Sequence, residues 1–210
     1  MLRDLRTNYQ KSELTEDSIS PDPFRQFDEW LKSAIEEGNP EPTAMILSTV
    51  DSKGYPESRV VLLKEVNSEG LVFFTNYNSK KGRQITARPN VAVNFFWSKT
   101  ERQVRIKGVA ERIPEESSVD YFKSRPIDSQ LGAWASPQSR IIENRQILNE
   151  NFSLYQQYFQ DHEIIKPPHW GGFIIRPKYF EFWQGRSNRL HDRFEFNLSG
   201  NEWIIHRLAP

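Results

Sequence analysis

From residue 43 onward the chain alternates between short runs rich in β-branched and aromatic residues and polar tetrads that favour turns, and this punctuation leaves few folds open. Runs at 43–50, 58–66 and 71–75 are separated by Asp51-Ser52-Lys53-Gly54 and Asn67-Ser68-Glu69-Gly70, the composition of turns between neighbouring antiparallel strands. Runs at 91–97 and 103–112 follow, joined by a polar turn, and the C-terminal part adds runs at 173–176, 179–183, 189–197 and 202–208. Helical patterns fall between them. Asp22 and Pro23 supply a cap and a first-turn proline for a helix to about Glu37, with Phe24, Phe27, Leu31, Ala34 and Ile35 on one stripe. A second helix starts at the cap residue Ser79, and a third runs from Pro114 to about Arg125, where Pro126 ends it. A longer one carries Ile141, Leu148, Phe152, Tyr155 and Phe159 as its buried stripe. The expected class is β-rich α+β, a single domain over 21–210, preceded by a flexible N-terminal arm at 1–20 that has no apolar periodicity.

Composition narrows the chemistry. Lys plus Arg and Asp plus Glu balance at 28 each, so no general attraction to nucleic acid or to an anionic membrane is expected and any basic site must be local. The chain has no cysteine, which removes disulfides, thiolate metal sites and cysteine nucleophiles together; no metal is called for. No apolar run reaches the length of a membrane span and no signal-peptide core opens the chain, so a cytoplasmic location is expected.

Four local groupings could receive an anion. Gly185 to Asn188 reads as a tight turn, and alternation on the strand after it places Arg189, His191 and Arg193 on one face, beside Trp183. A flat aromatic and convergent donors suit a planar anionic ligand, although a row of arginines is as often a solvated surface. Lys80, Lys81 and Arg83 stand in the first turn of a helix, the wrong sign for exposed amides that already carry partial positive charge. A phosphate held there with Thr75 would resolve the conflict. Tyr121 and Arg125 share a helix face with Ser129 just beyond Pro126, a plausible phosphate clamp. Arg59 and Lys64 border Val60-Val61-Leu62-Leu63, but strict alternation sets them on opposite faces unless a bulge intervenes.

The order and wording of these segments resemble one family. Arg59 to Lys64, Phe74-Thr75-Asn76-Tyr77, Ser79-Lys80-Lys81, Ser124-Arg125-Pro126-Ile127-Asp128-Ser129-Gln130, Trp170-Gly171-Gly172-Phe173, Trp183-Gln184-Gly185 and Arg189-Leu190-His191-Asp192-Arg193 are similar to the pyridoxamine 5'-phosphate oxidases. The resemblance implies a flavin-binding split β-barrel with flanking helices, a homodimer with FMN in the subunit interface. It also implies oxidation of pyridoxamine 5'-phosphate and pyridoxine 5'-phosphate to pyridoxal 5'-phosphate by O2.

By the same resemblance, flavin is bound by Arg59, Val60, Val61, Leu62, Leu63, Lys64, Phe74, Thr75, Lys80 and Lys81 of one subunit, with Gln138 and Ser139 from the other. Gln103, Trp183 and Arg193 would take the rest of the cofactor. Lys64, Tyr121, Arg125 and Ser129 would bind the substrate phosphate, with Arg189 and His191 orienting the pyridine ring. Phe74 and Lys80 depart from the Tyr and Arg common in relatives, and Arg6-Thr7-Asn8-Tyr9 keeps only the ends, Arg6 and Tyr9, of a lid motif. The competing readings are a split-barrel flavin reductase, which would not need the clamp or the Arg189-His191 pair, and a non-catalytic flavin or pyridoxal-phosphate binding protein. An oligonucleotide-binding barrel fits poorly with the absence of net charge.

Overall fold

One strand, β6 (Trp170–Gln184), organises the structure because it pairs with three others; the computed structural model describes residues 1–5 and 7–210. The remaining strands are β1 (Ala44–Val50), β2 (Pro56–Asn67), β3 (Gly70–Asn76), β4 (Asn90–Trp97), β5 (Arg102–Arg112), β7 (Asp192–Ser199) and β8 (Glu202–Leu208). Neighbours run antiparallel in the order β3-β2-β1-β4-β5-β6-β7-β8. A further pairing between β3 and the first half of β6 closes six of them into a barrel, from which β7 and β8 extend. The runs at 173–176 and 179–183, expected as separate strands, are therefore one. Gly108 pairs with Pro177 while Lys107 pairs with Tyr179, so the extra residue is absorbed as a bulge where the proline's missing donor costs no ladder bond. Gly108 is required there, since a Cβ would stand 2.3 Å from the Arg176 carbonyl oxygen.

Inside the barrel the alternating residues are large and aromatic. Phe73, Phe95, Phe173, Phe180, Phe182 and Phe196 are all buried, each contributing roughly 1.5–3 kcal/mol by leaving water. Helix α1 (Pro23–Glu36) packs onto them: Asp22 caps the Phe24 amide at 2.9 Å, Phe27 meets Phe95 edge-on at 5.1 Å and Trp30 meets Phe182 at 5.3 Å. Ile35, expected on that stripe, turns outward.

Helix α2 (Lys80–Ala87) opens at Ser79, whose hydroxyl accepts from the Gly82 amide at 3.2 Å. Helix α3 (Glu115–Ser124) ends at Arg125, and Pro126 then starts a helix that the sequence reading lacks, α4 (Ile127–Ala135). A proline that forbids one helix is well placed to begin the next. Helix α5 (Gln146–Tyr158) is shorter than expected: Ile141 is exposed before it, and Leu148, Phe152 and Tyr155 are only half-buried, so its apolar stripe covers a surface and not the core.

The N-terminal arm also differs from expectation. The Gln10 and Lys11 amides donate to Glu101 Oε2, the Leu14 amide donates to Asp192, Glu16 pairs with Arg207 and the Leu14 side chain is buried. These tethers are almost all polar, which is why apolar periodicity does not reveal them. Among the described residues no helix is long and apolar enough to cross a membrane.

Candidate functional site

Strands β2 and β3, the corner between α3 and α4, and the segment after α4 enclose a cavity of about 520 Å³. Among the described residues three cations line it, Lys64, Lys81 and Arg125, and no carboxylate does. Lys64 reaches it through the required irregularity: the β2–β3 register shifts between Leu63 and Glu65, so Lys64 sits on a bulge. Lys81 Nζ donates to Thr75 Oγ1 at 3.1 Å and to Gln138 Oε1 at 3.2 Å. Burial, followed by the nearby charge of Arg59, pushes the Lys81 ammonium pKa down. Arg125 lies over the Trp170 ring at 4.6 Å and over Phe122 at 5.6 Å; burial lowers its pKa too, and its Nη1 is a buried donor with no hydrogen-bond partner among the described residues.

The walls hold these groups in place. Phe74 stacks on Tyr121 with centroids 3.8 Å apart and on Trp170 at 5.4 Å, a near-parallel set of rings in which phenylalanine serves as well as tyrosine. Gln130 Nε2 donates to the Arg125 carbonyl at 2.8 Å and fixes the corner that carries Arg125 and Ser129. Neither Gln130 nor Trp170 figured as a site residue in the sequence, since an amide holding a backbone carbonyl and a ring under a guanidinium have no spacing signature.

Two of the expected phosphate ligands are otherwise engaged. Arg59 donates to Leu47 O, Thr49 Oγ1 and Glu57 O, and Lys80 pairs with the Glu57 carboxylate, whose own pKa is lowered chiefly by Lys80. Val60, Val61 and Leu62 line the cavity, whereas Leu63 is buried in the core and Ser139 is exposed outside the lining. Gln138, expected to reach the cofactor from a second subunit, lies against Lys81 and Thr75 of its own chain, because the turn after α4 brings it back over β3.

A second grouping lies on the outer face of the sheet. Cross-strand register pairs Phe96 with Gln103, Gln103 with Trp183 and Trp183 with Arg193, so these four form one row across β4, β5, β6 and β7. None of them lines the cavity of the same chain. Arg193 is held by Glu181, and Asp192 by Arg186 and Arg207.

The expected alignment of Arg189, His191 and Arg193 along one strand face is not found, because β7 begins only at Asp192. Ser187–Arg189 form a 3-10 turn in which Asn188 and Arg189 adopt φ of 58° and 63°, and this wider turn breaks the alternation before His191. Arg189 is exposed, while His191 rests on Trp183 at 4.6 Å with Tyr9 at 6.0 Å. Its Nδ1 accepts from the Arg186 amide at 3.1 Å, and its pKa is lowered by burial and by Arg189. In the neutral ring the proton therefore sits on Nε2. Tyr9 also meets Trp183 edge-on at 5.6 Å; Arg6, the other residue of the lid motif, lies outside the described residues.

A closed antiparallel barrel extended by a hairpin, with a cation-lined cavity beside β2 and β3, is the architecture of the FMN-binding split-barrel proteins. The model of the pyridoxamine 5'-phosphate oxidase family matches residues 31–158, and that of the pyridoxine 5'-phosphate oxidase C-terminal dimerisation region matches residues 170–210. A pyridoxine/pyridoxamine 5'-phosphate oxidase of Synechocystis is 50% identical over 209 residues, covering 100% of this chain and 98% of its own. One of Neisseria meningitidis is 49% identical, covering 100% and 99%. Among solved structures, PhzG of Burkholderia lata in complex with tetrahydrophenazine-1-carboxylic acid superposes with a TM-score of 0.87 at 28% identity, over 92% of this chain and 95% of its own. The chain belongs to the pyridoxamine 5'-phosphate oxidase family.

Proposed function

We propose that this chain uses FMN to oxidise pyridoxamine 5'-phosphate and pyridoxine 5'-phosphate to pyridoxal 5'-phosphate, with O2 as acceptor, at a site completed by two copies. The observation that carries the residue assignments is the imbalance in the cavity: three cations, no carboxylate, and a buried guanidinium nitrogen without a partner. Cations partly withdrawn from water and left without a counter-charge carry a net desolvation cost, so the arrangement is explained by anions that arrive from outside. Thr75, Lys81, Gln138 and the start of α2 suit the cofactor phosphate, and Arg59 and Lys80 can add to it if they turn from Glu57. Lys64, Tyr121, Arg125 and Ser129 suit the substrate phosphate on the other wall.

The outer face supports a second copy. Ile46 pairs with Val60 and with Asn94, two residues before Phe96, so Ile46, Val60, Leu62 and Phe96 share one side of the sheet. They are 42%, 61%, 40% and 52% exposed, a contiguous apolar patch of the kind that marks an interface. The patch lies between the cavity and the row of Gln103, Trp183 and Arg193. A twofold partner seated on it would bring each copy's row to the other's cavity. Trp183 and Arg193 also fall within the segment that matches the dimerisation region.

When bound, FMN supplies the acceptor for the hydride that leaves the substrate's C4' carbon, and O2 then takes the electrons as hydrogen peroxide. The protein's share is positioning. Arg125 and Lys64 anchor the phosphate end of the substrate. The partner subunit's His191, neutral and held by its Arg186 amide, offers Nε2–H to the ring, and the partner subunit's Arg189 stands beside it; Tyr9 against Trp183 limits access of water. An amine substrate also releases ammonia. A cytoplasmic location belongs to the same proposal, and fractionation of the native cells checks it.

The direct test mixes the purified protein with FMN and pyridoxamine 5'-phosphate in air and follows peroxide and aldehyde. Equal amounts of both are expected. Flavin binding without turnover of either phosphate ester would indicate a carrier, and flavin-dependent oxidation of a nicotinamide cofactor would indicate a reductase.

A further inference from the structure

On β6 the outward positions read Tyr179, Glu181 and Trp183, an acid between two aromatics. Glu181 is 2% exposed, although it lies on the face that carries the row of Gln103, Trp183 and Arg193. Four donors account for its burial. Oε1 accepts from Arg193 Nε at 3.2 Å and Nη2 at 3.1 Å, and Oε2 accepts from Arg105 Nη1 at 2.9 Å and the Tyr179 hydroxyl at 2.9 Å. Burial and the Glu181 carboxylate hold the Tyr179 phenol well above its ordinary pKa, so it remains a donor across the working range.

We propose that Glu181 is a positioning residue, one that fixes the Arg193 guanidinium in the orientation that receives the flavin. The inference rests on the reading of Arg193 as a cofactor contact. A guanidinium has five N–H donors. Two of those on Arg193 go to Glu181 and one, from Nη1, goes to the Ala209 carbonyl at 2.7 Å, which leaves two for a ligand. Pinned from two sides, the side chain no longer samples the many rotamers open to an arginine at a sheet surface, and the ordering cost is met before the ligand arrives. Charge points the same way. Arg105, Arg193 and Lys107 face Glu181 and its cross-strand neighbour Glu195, so the face keeps an excess positive charge, Glu181 neutralises only part of what it orders, and the row still attracts an electron-rich group.

The test is a double-mutant cycle on apoprotein, read as the FMN dissociation constant from quenching of flavin fluorescence, with the flavin absorption bands recorded at saturation. Glu181→Gln keeps the volume and removes the charge. It should weaken FMN by at least about tenfold and shift the bands, Arg193→Ala should do the same, and the double variant should be no weaker than Arg193→Ala within about twofold. Arg193→Lys keeps the charge but lacks the fork, so it should bind FMN nearly as poorly as Arg193→Ala.

Normal FMN affinity in Glu181→Gln, with a loss in Arg193→Ala, would overturn the positioning role and leave the site intact. Normal affinity in Arg193→Ala would instead remove Arg193 from the cofactor site. Should Glu181→Gln fail to fold, Arg193→Lys decides: affinity near wild type would mean that charge alone suffices and would overturn the proposal.

Discussion

The cavity beside β2 and β3 and the surroundings of Arg193 on β7 both hold several cations, yet they treat them in opposite ways. In the cavity, Lys81 has only neutral oxygen partners and Arg125 buries a nitrogen with none. Around Arg193 the fold answers its own cations: Glu181 takes Arg193 and Arg105 on the outer face, and Asp192, on the other face of β7, takes Arg186 and Arg207. The first region holds cations that its own fold leaves uncompensated, and the second holds a framework that its own fold completes. A ligand anion should therefore stabilise the first, whereas substitutions should mainly unsettle the second.

The largest effect that would break this contrast is at Arg125. Arg125→Ala should raise KM for the phosphate substrates about a hundredfold, the loss of a charge-assisted contact of roughly 3 kcal/mol, with a melting temperature equal to or above wild type. A fall in melting temperature without a change in KM would make Arg125 a structural cation. Lys81→Ala comes next. FMN affinity should drop roughly ten- to a hundredfold while the apoprotein keeps its stability, as titration and calorimetry would register.

At Asp192 the order of effects reverses. Asp192→Asn weakens the ties to Arg186 and Arg207 and to the Leu14 amide, so it should cost about 1 kcal/mol of stability and speed amide exchange in the N-terminal arm, with little change in FMN affinity. The smallest effect concerns pH. The folded pKa of His191 lies below its ordinary value of 6.5, so folding disfavours its protonation. The contribution of the Arg186–His191 hydrogen bond is complete above about 6.5 and is lost as pH falls toward the depressed folded value. A shallow decline in melting temperature below neutrality, absent in His191→Ala, is expected.

The barrel was largely legible because its strands alternate and its turns use residues with few alternatives; β1 to β5 and β8 fall within about two residues of where periodicity sets them. Pro177 misled, since a proline inside a strand normally argues for a break and only the pairing with Gly108 shows that it is a bulge. Pro126 misled in the other direction, as the end of one helix concealed the start of α4. The cationic start of α2 stood out by having the wrong sign for a helix terminus; of its cations Lys81 lines the cavity and Lys80 pairs with Glu57. Glu57 and Glu181 gave no such warning, because an acid reads as solvent-facing until the arginines around it are placed. The order Arg189-His191-Arg193 suggested a strand face, and two left-handed residues, which no simple propensity favours at Arg189, removed it.

Whether one chain or two complete each site can be decided by mixing two defective variants, Arg125→Ala in the cavity and Arg193→Ala in the row. If the partner's row completes the cavity, a hybrid dimer holds one doubly damaged site and one wild-type site. Random exchange of equal amounts then restores about a quarter of wild-type turnover at low substrate. Each variant alone should stay near its own low rate. Subunit exchange confirmed by mass, with turnover no higher than the average of the two variants, would contradict the two-copy site and return cavity and row to a single chain.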